Sequence, residues 1–216
     1  MATTFRHALR TFVAPSLPLP PEQYVRARFN TLNNVLRLYF NQIDSTVGAI
    51  IGGTGGSYIS FPYAAVQRTT DQTFTANTPT QITFDQSDYL NGCTNSGGIT
   101  VSYDGIYNYQ YSVQWANTGT QIHTAYIWLR KNGTDVPGTA SKFDVPAKHG
   151  SSDGYLIAAC NFYIDLVPDD TVQLVAAVTN ASVYAEAYAA QTSPFAMPAI
   201  PSVVATLTYV STQPTA

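Results

Sequence analysis

Strict alternation of apolar and polar residues over positions 107–115 constrains the fold of this chain more than any other feature. The stretch reads YNYQYSVQW, with an apolar or aromatic residue at every odd position and a polar residue at every even one. Successive side chains of a β-strand point to opposite faces, so this pattern predicts a strand with one face in a hydrophobic core.

Similar strand and turn signals continue through residues 58–216 and predict an all-β domain there. The most clearly predicted strands are 99–103, 107–115, 125–130, 156–166, 172–178, 183–188 and 203–210. Eight or more short strands separated by turns are typical of a sandwich or a jelly roll. The sequence therefore predicts a mainly β fold for this part of the chain.

Three local patterns refine this prediction. Residues 125–130 are apolar on both faces, so we expect this strand to be sandwiched centrally between layers. Asp104-Gly105 is expected to turn the 99–103 strand into the 107–115 strand. The dipeptide at 132–133 is Asn-Gly, which predicts a tight hairpin turn.

A heptad of apolar residues spans positions 25–51 and predicts a helix that assembles with copies of itself. The a and d positions that define the seam are Phe29, Leu32, Leu36, Tyr39, Ile43 and Ile50, with Val25 and Thr46 completing the pattern. Val35, Phe40 and Val47 widen the apolar stripe, which favours three or more strands over two. The alternative is one amphipathic helix packed on its own domain. The glycine-rich joint at 52–57 ends the helix.

Residues 1–24 are predicted to form an extended anchoring arm. Four prolines lie within positions 14–21, and proline fixes φ and removes an amide donor. Such an arm is either a flexible leader or an anchor laid along another protein, and its apolar residues favour the anchor. The predicted anchoring residues are Phe5, Arg6, Arg10, Phe12, Leu17, Pro18, Leu19 and Pro20.

Composition narrows the classes of partner. The chain is 45% hydrophobic, which is ample for a packed core and excludes disorder throughout. No apolar run approaches the roughly 18 residues of a membrane span, and positions 1–10 lack the apolar stretch of a signal peptide. Residues 1–43 carry five arginines and one glutamate, whereas the remainder is acidic. The arginines are too dispersed to predict nucleic-acid binding.

No catalytic, metal or cofactor site is predicted. The three histidines, at positions 7, 123 and 149, have no second ligand at metal-binding spacing. Neither a nucleophile elbow nor a phosphate-binding loop is present. Asp85 and Asp88 could bind calcium, although a simple Asx-rich loop is the favoured interpretation. We therefore expect a protein that is not an enzyme.

The two cysteines do not form a disulfide framework. Cys160 lies in an apolar stretch and is expected to be a buried free thiol, whereas Cys93 lies in a polar loop and could be exposed. A bridge between them stays open on the sequence alone.

Three motifs in residues 104–216 resemble the trimeric jelly-roll heads of the C1q/tumour-necrosis-factor-like family. They are DGIYNYQYSV at 104–113, WLRKNG at 128–133 and LVPDDTVQL at 166–174, in the family's order. Asp169 stands where the family usually has glycine. The resemblance implies a homotrimer whose subunits meet through aromatic-rich sheets. Tyr184 and Tyr188, which could also stack on sugar rings, are accordingly expected in the trimer seam.

The first fifth of the chain resembles the leader of virion proteins of tailed bacteriophages, those of marine cyanophages in particular. The matching stretches are LPLPPEQY at 17–24 and NNVLRLYFNQID at 33–44. This resemblance implies a trimeric fibre or knob on a phage particle. The arm would bind other virion proteins of the capsid or tail, and the head would face a host-surface glycan or protein. The alternative is a non-viral lectin-like or C1q-like recognition module.

Overall fold

The computed structural model describes residues 15–17, 23, 25–51 and 61–212, together with the side chains of these residues except those of 48–51. Most of the predicted arm and the whole glycine-rich joint at 52–57 lie outside this range. The chain divides into two compact units, residues 1–60 and 61–216, which we call the N-terminal unit and the head. Each is described by itself.

The N-terminal unit contains one described helix, α1, which spans Arg26–Ile51. The carbonyl of Val25 accepts hydrogen bonds from the amides of Arg28 and Phe29 and so begins the first turn. No helix in the described ranges is both long enough and apolar enough to cross a membrane.

The head consists of short strands joined by turns. In chain order the strands are β1 (Tyr63–Arg68), β2 (Thr80–Ile82), β3 (Gln86–Asn91), β4 (Cys93–Asn95), β5 (Ile99–Val101), β6 (Gly105–Asn117), β7 (His123–Lys131), β8 (Thr134–Asp135), β9 (Ser141–Val145), β10 (Gly154–Leu166), β11 (Thr171–Val178), β12 (Val183–Ala185) and β13 (Val203–Ser211).

These strands form two antiparallel sheets. Sheet A has the order β10-β6-β13-β1-β3, and β12 pairs with the end of β6 that β13 leaves free. Sheet B has the order β4-β5-β11-β7-β8, with β2 beside β11 and β9 beside β7. Consecutive strands repeatedly cross from one sheet to the other, as in a jelly roll. The mainly β fold expected from the sequence is confirmed.

The core lies between the two sheets and is rich in aromatic residues from β6. Every odd position of this strand from Tyr107 to Trp115 is buried, as the alternation predicted. The rings of Phe74 and Trp115 pack with centroids 5.4 Å apart. Sheet B contributes Ile127 and Leu129 from β7. An aromatic pair adds stabilisation beyond the area it buries, so this contact strengthens the packing of β6 in the core.

The predicted hairpin at Asn132-Gly133 is confirmed. It joins β7 to β8, and both turn residues adopt positive φ, 49° and 81°. A two-residue turn of this kind requires the left-handed conformation that Asn and Gly tolerate best.

Two sequence-based expectations are wrong. Residues 125–130 are not sandwiched on both faces, because Tyr126 is 39% exposed on the outer face of sheet B. Asp104-Gly105 does not join two strands of one hairpin, because β5 lies in sheet B and β6 in sheet A. Gly105 has φ 154°, and a Cβ there would lie 2.4 Å from the ring of Tyr209. The glycine is therefore needed for a crossing between sheets.

Candidate functional site

The outer face of sheet A exposes large apolar side chains. We call the outward side chains of β1, β3, β6, β10, β12 and β13 the sheet A face. Its large exposed apolar members are Tyr63, Tyr89, Tyr155, Ile157, Tyr163 and Val204. Ile157 is 62% and Tyr163 67% exposed. Scattered apolar residues on a surface are ordinary, whereas a set gathered on one face marks an interaction surface.

Small side chains at the centre of this face leave a depression. Ser112 of β6 lies between Ala159 of β10 and Val204 of β13 in the strand register. The depression has a volume of about 490 Å³, and Gln110 and Asn161 also line it. Because larger residues stand towards both ends of β10, the face is concave in the middle and can receive side chains from another surface.

The centre of the sheet A face is also uncharged. Within the described head, the outward positions of β6 from 108 to 116 are Asn, Gln, Ser, Gln and Ala. Those of β10 from 155 to 163 are Tyr, Ile, Ala, Asn and Tyr. Removing charged groups from water is costly unless they find partners. A centre without charges therefore avoids that cost when another protein covers it.

A cluster of tyrosines around a carboxylate lies at one end of this face. The hydroxyl of Tyr184 donates a hydrogen bond of 2.9 Å to Glu186, and that of Tyr188 donates to the other carboxylate oxygen. The ring of Tyr155 packs 6.3 Å from that of Tyr188. Burial raises the pKa of both donor tyrosines, and the Glu186 charge raises it further, so both stay protonated.

The outer face of sheet B differs in kind, because its charged groups are paired within the chain. Asp135 accepts hydrogen bonds from Trp128 Nε1 at 2.8 Å and from Arg130 Nε at 2.7 Å. Asp144 accepts one from Thr124 Oγ1 at 2.7 Å. The bonds from Arg130 and Thr124 lower the pKa of Asp135 and Asp144 respectively, so both carboxylates stay charged.

A buried carboxylate fixes one corner of sheet B. Asp170 is 5% exposed and lies 2.7 Å from Lys131 Nζ. It also accepts hydrogen bonds from the Asn132 side chain and the Val167 amide. Burial alone would raise the pKa of Asp170, but the ion pair and these hydrogen bonds outweigh burial and lower it. This cluster ties the Asn132-Gly133 hairpin to the turn before β11.

The predicted seam residues of α1 share one stripe of the helix. Leu32, Leu36, Tyr39 and Ile43 are each partly covered, whereas Phe29 is 44% exposed. The side chain of Ile50 lies outside the described residues. The seam itself stays a prediction.

Only one of the predicted anchoring residues falls within the described ranges. Leu17 is exposed. The other predicted anchoring residues, Phe5, Arg6, Arg10, Phe12, Pro18, Leu19 and Pro20, lie outside those ranges, and anchoring therefore stays a prediction.

The structure gives no support to the calcium hypothesis. Asp85 already accepts hydrogen bonds from the amide and hydroxyl of Thr69 and from the hydroxyl of Thr70. Asp88 accepts from Gln67 and Gln86. Across residues 61–212 and the described part of the N-terminal unit, no group of three or more histidine, cysteine, aspartate or glutamate side chains could hold a metal ion.

The two cysteines are free thiols on different sheets. Cys93 begins β4 in sheet B, and Cys160 lies on β10 in sheet A. The suggestion that Cys93 is exposed is wrong, because it is 7% exposed and burial raises its pKa to about 11. Cys160 is only partly buried, with its sulfur 3.5 Å from the Ser141 hydroxyl. The sequence-based expectations for the two thiols are therefore the reverse of what the structure shows.

Sequence reasoning did not find the sheet A face or the paired charges of sheet B. The signal for the former was present in β10, where outward Tyr155, Ile157 and Tyr163 alternate with inward residues. Both sets are apolar, so the sequence alone did not say which faces the core.

Comparison with known proteins finds a likeness to solved structures but none to a family model or a curated protein. Among solved structures, the chain is similar to the globular domain of zebrafish complement 1qA protein, at 12% identity and a TM-score of 0.41. The match covers 71% of this chain and 99% of that one.

Proposed function

We propose that the protein is a non-enzymatic homotrimer whose β heads meet through the sheet A face and present recognition surfaces outward. The observation that supports this best is the sheet A face, which is partly aromatic and has a concave, uncharged centre. Aromatic residues are enriched and charged residues depleted at the centre of protein interfaces. Covering a fully exposed large apolar side chain contributes about 1.5–3 kcal/mol, and the apolar members of this face are 38–68% exposed, so each contributes part of that amount. Several such residues per subunit can therefore support a stable assembly.

The heptad of α1 supports the same assembly from the N-terminal side. Its wide apolar stripe, extended by the 60% exposed Phe40, exceeds what a two-stranded seam buries. A helix that trimerises and a head that trimerises reinforce each other, because linking two weak contacts raises the effective concentration for the second.

The finer proposal is that this trimer is a virion appendage of a tailed bacteriophage. It is supported by the sequence resemblance of residues 17–24 and 33–44 and by the excess of arginine in residues 1–43. The arm would bind capsid or tail proteins, and the head would project towards the host surface. A C1q-like recognition module outside a virus would share the trimer but would not need the arm.

The mass of the full chain in solution tests the assembly. We expect a species of three times the 23.4 kDa chain at micromolar concentration. The double substitution Leu36→Asp with Ile43→Asp places charge in the helical seam and should weaken the trimer. A wild-type protein that remains monomeric would refute the proposal.

Deleting residues 1–24 tests the virion role separately. The truncated protein should remain folded and trimeric, yet it should fail to join phage particles. Full incorporation of the truncated chain would contradict the anchoring role and favour the recognition module alone. Turnover of a purified host polysaccharide would contradict the non-enzymatic assignment.

A further inference from the structure

Two aromatic side chains stand next to each other on the outer face of sheet B. Tyr126 and Trp128 are outward residues of β7, two positions apart, which places them roughly 7 Å apart along the strand. Their partners on β11 are Ala177 and Val175. Both neighbours are smaller, Val175 is fully buried, Tyr126 is 39% exposed and Trp128 is partly exposed. We call Tyr126, Trp128 and the side chains of Arg130, Asp135, Lys142 and Asp144 the β7 platform.

Hydrogen bonds hold the Trp128 end of the platform in place without a ligand. Asp135 binds Trp128 Nε1 and Arg130 Nε and so fixes the indole by its polar edge. On the other side of Tyr126, Lys142 lies opposite in the register and 3.6 Å from Asp144. An ordered surface loses little conformational entropy when it binds, which favours affinity.

From this arrangement we propose that the β7 platform binds a neutral polysaccharide chain lying along β7. Side-by-side aromatic rings offer flat apolar surfaces to the C–H faces of sugar rings, and the surrounding groups supply hydrogen-bond donors and acceptors for hydroxyls. The two cations and two carboxylates of the platform give it a net charge of zero. An acidic polysaccharide would therefore find no net positive charge, and the head as a whole is acidic.

This inference deepens the recognition role proposed above and rests on it for the orientation of the platform. If the sheet A face lies between subunits, sheet B faces solvent in the assembly. Three platforms per trimer would then bind one repetitive polymer together, and multivalency would raise a weak single-site affinity by orders of magnitude.

Intrinsic fluorescence of the full-length protein tests the platform directly. The chain has two tryptophans, and Trp115 is buried in the core at 1% exposure. Acrylamide quenching should therefore report mainly on Trp128. Neutral oligosaccharides with β-1,4, β-1,3 and α-1,4 glucose or mannose linkages are titrated one at a time, beside oligomers of uronic acid. We expect one neutral series to shift the emission and protect Trp128 from acrylamide.

Variants distinguish stacking from loss of fold. Trp128→Ala and Tyr126→Ala should each weaken binding by about tenfold or more, as for aromatic residues at the centre of an interface. Trp128→Phe retains a ring and should bind with intermediate affinity. Phe195→Ala, which removes a 62% exposed ring outside the platform, should bind as the wild type does. Circular dichroism and thermal unfolding identify any variant that fails to fold.

The outcomes separate this proposal from the trimer. If the protein is trimeric but no neutral oligosaccharide protects Trp128 from acrylamide, the platform proposal is refuted and the trimer proposal is unaffected. If a monomeric protein binds a neutral oligosaccharide through Trp128, the trimer proposal is refuted and the platform proposal is unaffected. Binding that favours uronic-acid oligomers, or that survives both alanine substitutions unchanged, overturns the proposal.

Discussion

The two outer faces of the head come from the same sandwich but treat their side chains differently. On sheet B, the charged residues find partners in their own chain, as Arg130 does with Asp135 and Lys142 with Asp144. On the sheet A face, exposed apolar residues such as Ile157 and Tyr163 flank a centre without charge. The difference indicates that the charged groups of sheet B need no partner protein to be paired, whereas the sheet A face is suited to contact with protein.

Replacing Ile157 by aspartate is expected to have the largest effect on this contrast. In a single head the new carboxylate is solvated, because Ile157 is 62% exposed. In the trimer it would be a buried charge without a partner, which costs about 3 kcal/mol or more of association free energy. Sedimentation analysis should therefore show dissociation.

Ile122→Asp is the matched control for this substitution. Ile122 is 66% exposed in the loop between β6 and β7, outside both faces. The control should remain trimeric. Equal masses for the two variants would show that the sheet A face is not the seam.

Asp170→Ala should have the opposite effect to Ile157→Asp. It should lower the stability of the head without weakening the trimer. The substitution removes the acceptor of the Asn132 side chain and the Val167 amide. It leaves Lys131 with only the Asp165 carbonyl. Hydrogen bonds to charged groups are each worth about 1.5–3 kcal/mol, so we expect a fall of about 2 kcal/mol or more in the free energy of unfolding. Urea denaturation measures it.

The exposed Asp104 supplies the control, because Asp104→Ala removes the same charge at the surface. Its unfolding free energy should stay near that of the wild type. If Asp170→Ala were no more destabilising than Asp104→Ala, the buried cluster would contribute nothing to sheet B.

The same carboxylate predicts how stability depends on pH. The pKa of Asp170 is lowered in the folded head from its ordinary 3.8. Its contribution is therefore fully present above about pH 5 and is lost as the pH falls below 3.8 through the folded pKa. The stability difference between wild type and Asp170→Ala should shrink across this window. A difference that grows on acidification would reverse the sign and contradict the lowered pKa.

Asp169→Gly is expected to have the smallest effect. Asp169 has a φ of 70°, a conformation that glycine adopts without cost. Relief of backbone strain is partly offset by the greater entropy of glycine in the unfolded chain. We expect a gain of less than about 1 kcal/mol in thermal or urea unfolding and an unchanged trimer mass. A loss of stability would show that the Asp169 side chain has a structural role.

Local sequence patterns predicted much of the fold. The alternation in β6 predicted a buried face that the structure confirms residue by residue. Asn132-Gly133 predicted its hairpin because the turn is decided by the backbone preferences of two adjacent residues. Even the departure of Asp169 from the family pattern marks a position where the backbone is left-handed.

The candidate sites were harder to predict, because they depend on which side of each strand faces the core. β7 and β10 are apolar on both sides, so the sequence could not show that Trp128 and Ile157 point outward. The crossing at Gly105 and the pairing of Asp170 with Lys131 join residues from separate strands or sheets, and no local pattern specifies such partners.

The mainly β class, the alternating core strand and the tight turn can all be predicted from the sequence, because each depends on neighbours along the chain. The pairing of charges on one face and their absence from the centre of the other cannot, because both depend on how the two sheets pack. That division arises when two sheets stack and each strand must turn one side inward. The side left outward is chosen by packing across the whole core.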